Sequence, residues 1–230
     1  MRRAIILAVA AAALSLAACG SDGGSDADLE DVDVVELLEQ AASRMDGVES
    51  FHIELEHDNG TATIVRGLSM VRAEGDVQAL DQMHLAVEVS VGPLNADIEI
   101  IVLPTESWIT NPLTGRWERE DIDVSEFFDP QEGITAVMRL VQNPQLAGAE
   151  QIEGVDTYRV EADVASESLT LFGNPRAGET LRVRAWIGVD DPLVYRIEAV
   201  GGIVEGEPDN LVRELTLSEF GADFDIQAPR

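Results

Sequence analysis

Three histidines, one cysteine and no lysine are the side chains from which covalent or acid–base chemistry would have to be built in this chain. The missing lysine excludes Schiff-base catalysis and the lysine of a phosphate-binding loop. The sequence contains no G-x-S-x-G elbow and no H-E-x-x-H pair, so the common serine-nucleophile and zinc-hydrolase arrangements have no residues to use. His52, Glu54 and His84 could be drawn as a metal set. However, His52 and His84 alternate with apolar residues among Glu54, Glu56 and Glu88, the pattern of a solvated strand face. Carboxylate pairs such as Glu118 and Glu120 read the same way. The expectation is a protein that is not an enzyme and holds neither metal nor other cofactor.

Cys19, the sole cysteine, carries a different chemistry. Met1-Arg2-Arg3 is a positive start, and Ala4–Leu14 is an apolar stretch too short to span a bilayer as a mature helix. The stretch ends in Leu16-Ala17-Ala18-Cys19, which resembles a bacterial lipobox. A lone cysteine in an exported chain has no internal disulfide partner, and acylation explains it best. Residues 1–18 therefore read as a lipoprotein signal peptide. Two or three acyl chains of the palmitate type on Cys19 would form a stable membrane anchor. The mature protein would sit lipid-anchored on the extracytoplasmic, periplasmic side of the cell membrane. Gly20 is not the aspartate of inner-membrane retention, which permits outer-membrane sorting where a cell has one.

Residues 19–31 form the anchor and a tether: GSDGGSDADLED is short of apolar residues and cannot order itself by burial. Asp26, Asp28, Asp31 and Asp33 lack the turn glycine and terminal glutamate of a calcium loop, so they read as solvated linker. The 44 acidic against 15 basic residues give a net charge of −29, which repels a phosphate backbone and excludes nucleic acid as partner. A hydrophobic fraction of 45% places this charge on a folded surface.

Residues 32–230 read as one domain. Val34, Val35, Leu37, Leu38, Ala41, Ala42 and Met45 make a helical stripe that Gly47 stops. Phe51, Ile53 and Leu55 then alternate with polar residues up to Asp58-Asn59-Gly60, predicting a strand and a hairpin whose return strand covers about Ala62–Arg72. Ala73-Glu74-Gly75-Asp76 reads as a break. Met83 to Val91 and Ala96 to Val102 alternate cleanly about a Gly92-Pro93 turn. Trp108 and Trp117 are expected to pair across a short hairpin. Two helices, Val124–Phe128 and Gln131–Val141, bracket Pro130, with Asn143-Pro144 closing the second. Strands resume at Tyr158–Val164, then after a short helix at Ser166–Phe172 come strands at Leu181–Ile187, Leu193–Val200 and Leu211–Ser218.

Eight or so such strands make a twisted sheet with one wet face and one face that needs a cover. About 40 helical residues are a thin cover. The two outcomes are an apolar hollow able to hold a ligand and a core filled by its own side chains; periodicity leaves both open. Candidate residues for the hollow are Ile53, Leu55, Leu85, Val87, Val89, Ile98, Ile100 and Val102 on strands. Val137, Met138 and Val141, with Phe127 and Phe128, lie on the helices that would roof it.

Six stretches in order resemble the mycobacterial LppX/LprA/LprF/LprG lipoprotein family: LLEQAASRMDGVESFHIELEHDNG, ESWITNPLTGRWERED, FFDPQEGITAVMRLVQN, IEGVDTYRVEADVASESLTLFG, RAWIGVDDPLVYRIEAVG and LTLSEFGADFDIQAP. This resemblance implies an α+β fold, a curved antiparallel half-barrel with helices packed on its concave face, similar to the LolA and LolB proteins of lipoprotein sorting. It also implies a cavity for a multi-acyl lipid or glycolipid, carried between membranes or to the cell surface, and an envelope transporter as partner. The cargo is not specified by the resemblance. The competing reading is an envelope scaffold or sensor with a filled core that binds a protein partner.

Overall fold

The computed structural model describes residues 31–122, 124, 134–169 and 175–230; residues 1–30, expected to be signal peptide and tether, and the expected helix Val124–Phe128 beyond Val124, with Phe127 and Phe128, lie outside them. The chain builds a single antiparallel sheet: β1 (Ser50–Asp58), β2 (Ala62–Thr63), β3 (Ser69–Gln78), β4 (Gln82–Val91), β5 (Leu94–Leu103), β6 (Glu106–Thr110), β7 (Trp117–Glu120), β8 (Gln142–Ile152), β9 (Val155–Ala165), β10 (Thr180–Gly188), β11 (Val194–Val200) and β12 (Val212–Ser218). Eleven strands follow one path, β7-β6-β5-β4-β3-β1-β12-β11-β10-β9-β8, with β2 beside β3. Two meanders, β3–β7 and β8–β12, are thus joined where β1 pairs with both β3 and β12.

One long helix accompanies the sheet among the described residues, α1 (Val34–Met45). Its buried stripe of Leu37, Leu38, Ala41 and Ala42 clusters with Val160, Ile187 and Val194 from β9, β10 and β11. Asp33 starts it: the carboxylate accepts from the Val35 and Glu36 backbone N–H groups at 3.0 and 3.2 Å. Replacing this cap, Asp33→Ala, is expected to lower unfolding free energy by about 1 kcal/mol in denaturant titration. The second helix, α2 (Ile134–Met138), falls within the expected Gln131–Val141 and ends three residues before Val141; residues 131–133 lie outside the described residues. Of the expected helix Ser166–Phe172, Ser166–Ser168 form a 3-10 turn, and residues 170–172 lie outside the described residues.

Three expectations about strands are corrected. Ala73–Asp76 does not break the pattern, because β3 runs through it. The partner of β1 after Asn59-Gly60 is β3, not the segment that follows directly: residues 61–68 leave as β2 and a 3-10 turn, Val65–Gly67. Residues 142–152, read as following a closed helix, form the 11-residue strand β8. It lies at the sheet edge, where only β9 pairs with it and where Pro144 and two register shifts are tolerated.

The excursion at 61–68 has a purpose in the packing. Arg66, at φ 61°, reaches Glu118 and Glu120 of β7 with its guanidinium. β4, β5 and β6 lie between β3 and β7 in the sheet, roughly 19 Å at ordinary strand spacing, so the sheet must curl for this contact to form. Ile64 and Leu68 on the same strap pack against the buried cluster of β1 and β3–β6.

Candidate functional site

The strand registers define one continuous apolar row on the inner face: Leu146, Val160, Ala185, Ile197, Leu215, Leu55, Ala73, Val87 and Ile98, each opposite the next from β8 to β5. A second row runs Leu217, Ile53, Gly75, Leu85, Ile100, Ile109. The α1 contacts fall on the same face, through Val160.

Burial along these rows is uneven. In the β3–β6 wing, Val87 and Ile98 are 2% and 1% exposed, and Val89, Ile100, Val102 and Ile109 are buried with them. Under α1, Val160, Ile187 and Val194 are buried. Between the wings, Leu85, Ile53, Leu55, Leu215 and Ile197 are only half-buried. The inner face therefore carries a strip of partly accessible apolar side chains along β4, β1, β12 and β11. Val183 and Ala199 continue it toward Val137 and Val141, all four half-buried.

The structure brings eight of the expected residues, Ile53, Leu55, Leu85, Val87, Val89, Ile98, Ile100 and Val102, into one cluster. Met138 joins the α1 cluster, Val137 packs with Val164, Leu169, Leu181 and Ile203, and Val141 touches both. Of the eleven, Ile53, Leu55, Leu85, Val137 and Val141 have surface to offer a ligand; the other six are packed against protein.

One end of the strip is polar. His57, Arg213 and Glu207 are buried at 8%, 8% and 9% exposure, and His57 stands opposite Arg213 in the β1–β12 register. Arg213 meets Glu207 at 2.5 Å, and Glu207 also accepts from the Ile203 and Val204 N–H groups. Burial alone would raise the Glu207 pKa, but Arg213 and the two backbone donors outweigh it and hold it below the ordinary carboxylate range. Burial pushes the His57 imidazole down and Arg213 adds to this, against the Val71 carbonyl bonded to Nδ1. Sequence reasoning passed over these residues, although the signal was present: Arg213, Leu215 and Leu217 alternate on β12, and His57 is in step with Ile53 and Leu55. At the opposite end, a groove of about 670 Å³ is lined by Val102 and Ile122 together with Asp81, Glu106, Arg119 and Asp121.

The outer face carries both tryptophans of the β6–β7 hairpin and two of the three histidines. Trp108 stands opposite Arg119, whose guanidinium lies 5.7 Å from the ring centroid, and Trp117 stands opposite Thr110, so the two indoles are not a directly opposed pair. His52, Glu54 and His84 do not converge either: Asp76 separates His52 from His84 in the register, and His84 bonds Glu99 at 3.0 Å.

The family model of the LppX_LprAFG lipoproteins matches residues 33–226. The chain belongs to that family. Its relatives include the lipoarabinomannan carrier protein LprG of Mycolicibacterium smegmatis, 24% identical over 97% of this chain and 94% of that one. The putative phthiocerol dimycocerosate transporter LppX of Mycobacterium leprae is 25% identical over 56% of this chain and 65% of that one. The same fold occurs in the crystal structures of LprF from Mycobacterium bovis and LppX from Mycobacterium tuberculosis. LprF has a TM-score of 0.66 at 18% identity, covering 85% of this chain and 96% of that one. LppX has a TM-score of 0.64 at 19% identity, covering 88% and 100%. Membership in a lipoprotein family implies a membrane-anchored, extracytoplasmic location, and among the described residues no helix is long and apolar enough to cross a membrane. Relatives named as carriers fit the absence of nucleophile motifs in this chain.

Proposed function

We propose that this protein is a lipid carrier, held to the envelope by acylated Cys19 and the tether at 19–31, that takes the acyl chains of a multi-acyl lipid or glycolipid onto its inner face. The observation that carries this reading is the half-buried apolar strip of Leu85, Ile53, Leu55, Leu215 and Ile197 between two packed wings. α1 and α2 serve as the cover on the concave side. An acyl chain that hides about 300 Å² on such a strip gains about 7.5 kcal/mol relative to water before ordering costs, which is set against the about 0.8 kcal/mol per methylene that the chain gives up on leaving a bilayer. Apolar walls discriminate chain length weakly, so chemical selection falls to the polar ends of the strip. An envelope transporter that supplies or receives the cargo belongs to the same reading.

The full chain, purified from its native membrane in detergent, is expected to carry close to one lipid per protein by mass spectrometry. Leu55→Trp fills the centre of the strip and should reduce that occupancy at least fivefold with an unchanged circular dichroism spectrum. Ala86→Trp, exposed on the outer face, should leave it intact. Protein free of lipid from native membranes, with a melting temperature unmoved by added phospholipid, would defeat the carrier reading. The packing of Val87, Val89, Ile98 and Ile109 favours the second reading, a scaffold with a filled core that binds a protein partner. That reading requires lipid content to be indifferent to Leu55→Trp.

A further inference from the structure

On the outer face, away from the strip, β1 and β3 place four chemistry-bearing side chains in a square. His52 stands opposite Asp76, and Glu54 stands opposite Glu74. Asp76 Oδ1 lies 2.7 Å from His52 Nδ1, so Nδ1–H donates to the carboxylate and the ring is turned with Nε2 toward Glu74 Oε1 at 3.9 Å. One ligand atom from each of His52, Glu54 and Glu74 falls within 4.8 Å of the others. Among the described residues no arginine forms an ion pair with Glu54, Glu74 or Asp76: Arg72, the nearest in register, is bonded to Glu88 and reaches Glu74 only through a longer-range electrostatic attraction, and Arg196, beyond Thr216, faces Glu214. Like charges placed directly opposite on neighbouring strands destabilise a sheet, and here two glutamates face each other beside an aspartate on a chain of net charge −29.

His52 Nε2 then has two ways to sit against these carboxylates. It can carry a second proton, which leaves three carboxylates against one positive charge, or it can offer its lone pair to a cation held with them. We propose the second: His52, Glu54 and Glu74 form a surface site for a divalent transition metal of the zinc type, with Asp76 as the positioning residue that fixes the imidazole. An imidazole with two carboxylates suits zinc, copper or nickel, whereas calcium takes oxygen ligands throughout. A carboxylate bonded to the far nitrogen of a metal-bound histidine is the usual outer support of such a site. Both strands are internal to the sheet, each paired on two sides, so the backbone that spaces the ligands is fixed. The carrier reading plays no part in this inference.

The test is calorimetric titration of ZnCl2 into the full chain, purified in detergent and stripped of metal with chelator, with thermal unfolding as a second readout. One Zn²⁺ per chain should bind and raise the melting temperature, with excess Ca²⁺ failing to compete. His52→Ala and Glu74→Gln should each weaken binding at least tenfold, and Asp76→Asn, which removes no ligand, by about tenfold. His84→Ala, an outer-face histidine paired elsewhere, should change nothing. The proposal is overturned by the absence of saturable zinc binding, by a His52→Ala variant that binds as tightly as the parent, or by loss of binding in His84→Ala. Lipid content is unaffected in every arm, so failure here and failure of the carrier reading are separate results.

Discussion

Gly75→Ala is expected to cost about 3 kcal/mol or more of unfolding free energy, the upper range for overpacking, and to yield a protein that is largely insoluble on expression. A Cβ at this position would stand 1.9 Å from the His84 carbonyl oxygen and 2.9 Å from the Leu85 Cα. Both are backbone atoms of the neighbouring strand and cannot rotate aside. The β3–β4 pairing itself would have to part, inside the apolar row that holds Ile53 on one side and Leu85 on the other. Gly92 supplies the contrast. Its φ is +63° and an added methyl group would meet nothing within 4 Å, so Gly92→Ala faces only backbone strain of about 1 kcal/mol. Denaturant midpoints of the two variants measure the difference. A Gly75→Ala protein no less stable than Gly92→Ala would show that the strands do not approach this closely.

That glycine also marks the limit of what the chain discloses on reading. Ala73-Glu74-Gly75-Asp76 resembles a turn because glycine and aspartate punctuate turns, while the reason for glycine lies in a partner strand about ten residues away. β4 and β5 were legible in full. Met83, Leu85, Val87 and Val89 stand opposite Val102, Ile100, Ile98 and Ala96, and strict alternation over a short turn contains all the information that pairing needs. β8 was not legible: as an edge strand buried on few positions, it has little large apolar side chain beyond Leu146 and Ile152.

The same distinction governs the site. Period two put Leu55 and Val87 on one face, but it carries no sign that one stays half-buried and the other is sealed. That difference depends on the Arg66 strap, which reaches 52 and 54 residues along the chain to Glu118 and Glu120, and on α1 settling over β9–β11. Both are contacts between distant segments. The accessible strip lies beside the junction of the two meanders at β1 and β12.

Glu207→Gln should destabilise the fold by about 3–5 kcal/mol, because it leaves the Arg213 guanidinium buried without its counter-charge. The glutamine can still accept from the Ile203 and Val204 N–H groups, so the loss isolates the charge. Replacing both partners, Glu207→Gln with Arg213→Met, should recover much of the loss, since a buried pair exchanged for apolar volume is often near neutral. A double variant as unstable as Glu207→Gln alone would assign the effect to the loop. Acid titration reads the same site. The pKa of Glu207 is lower in the folded chain than its ordinary 4.5, so its contribution is complete above that pH and is lost as pH falls through the folded value. His57 is likewise below its ordinary 6.5 in the folded chain. The unfolded chain therefore takes up that proton first, and stability declines as pH falls below 6.5. The parent should lose stability in two stages, His57 first and the carboxyls held low, Glu207 with Glu88, Glu118 and Glu167, below pH 4.5; Glu207→Gln should keep the first and reduce the second, and His57→Leu should lose the first and keep the second. Unfolding free energies measured at intervals from pH 7.5 to 3.5 decide it, and identical pH profiles for parent and both variants would remove His57 and Glu207 from the account of acid stability.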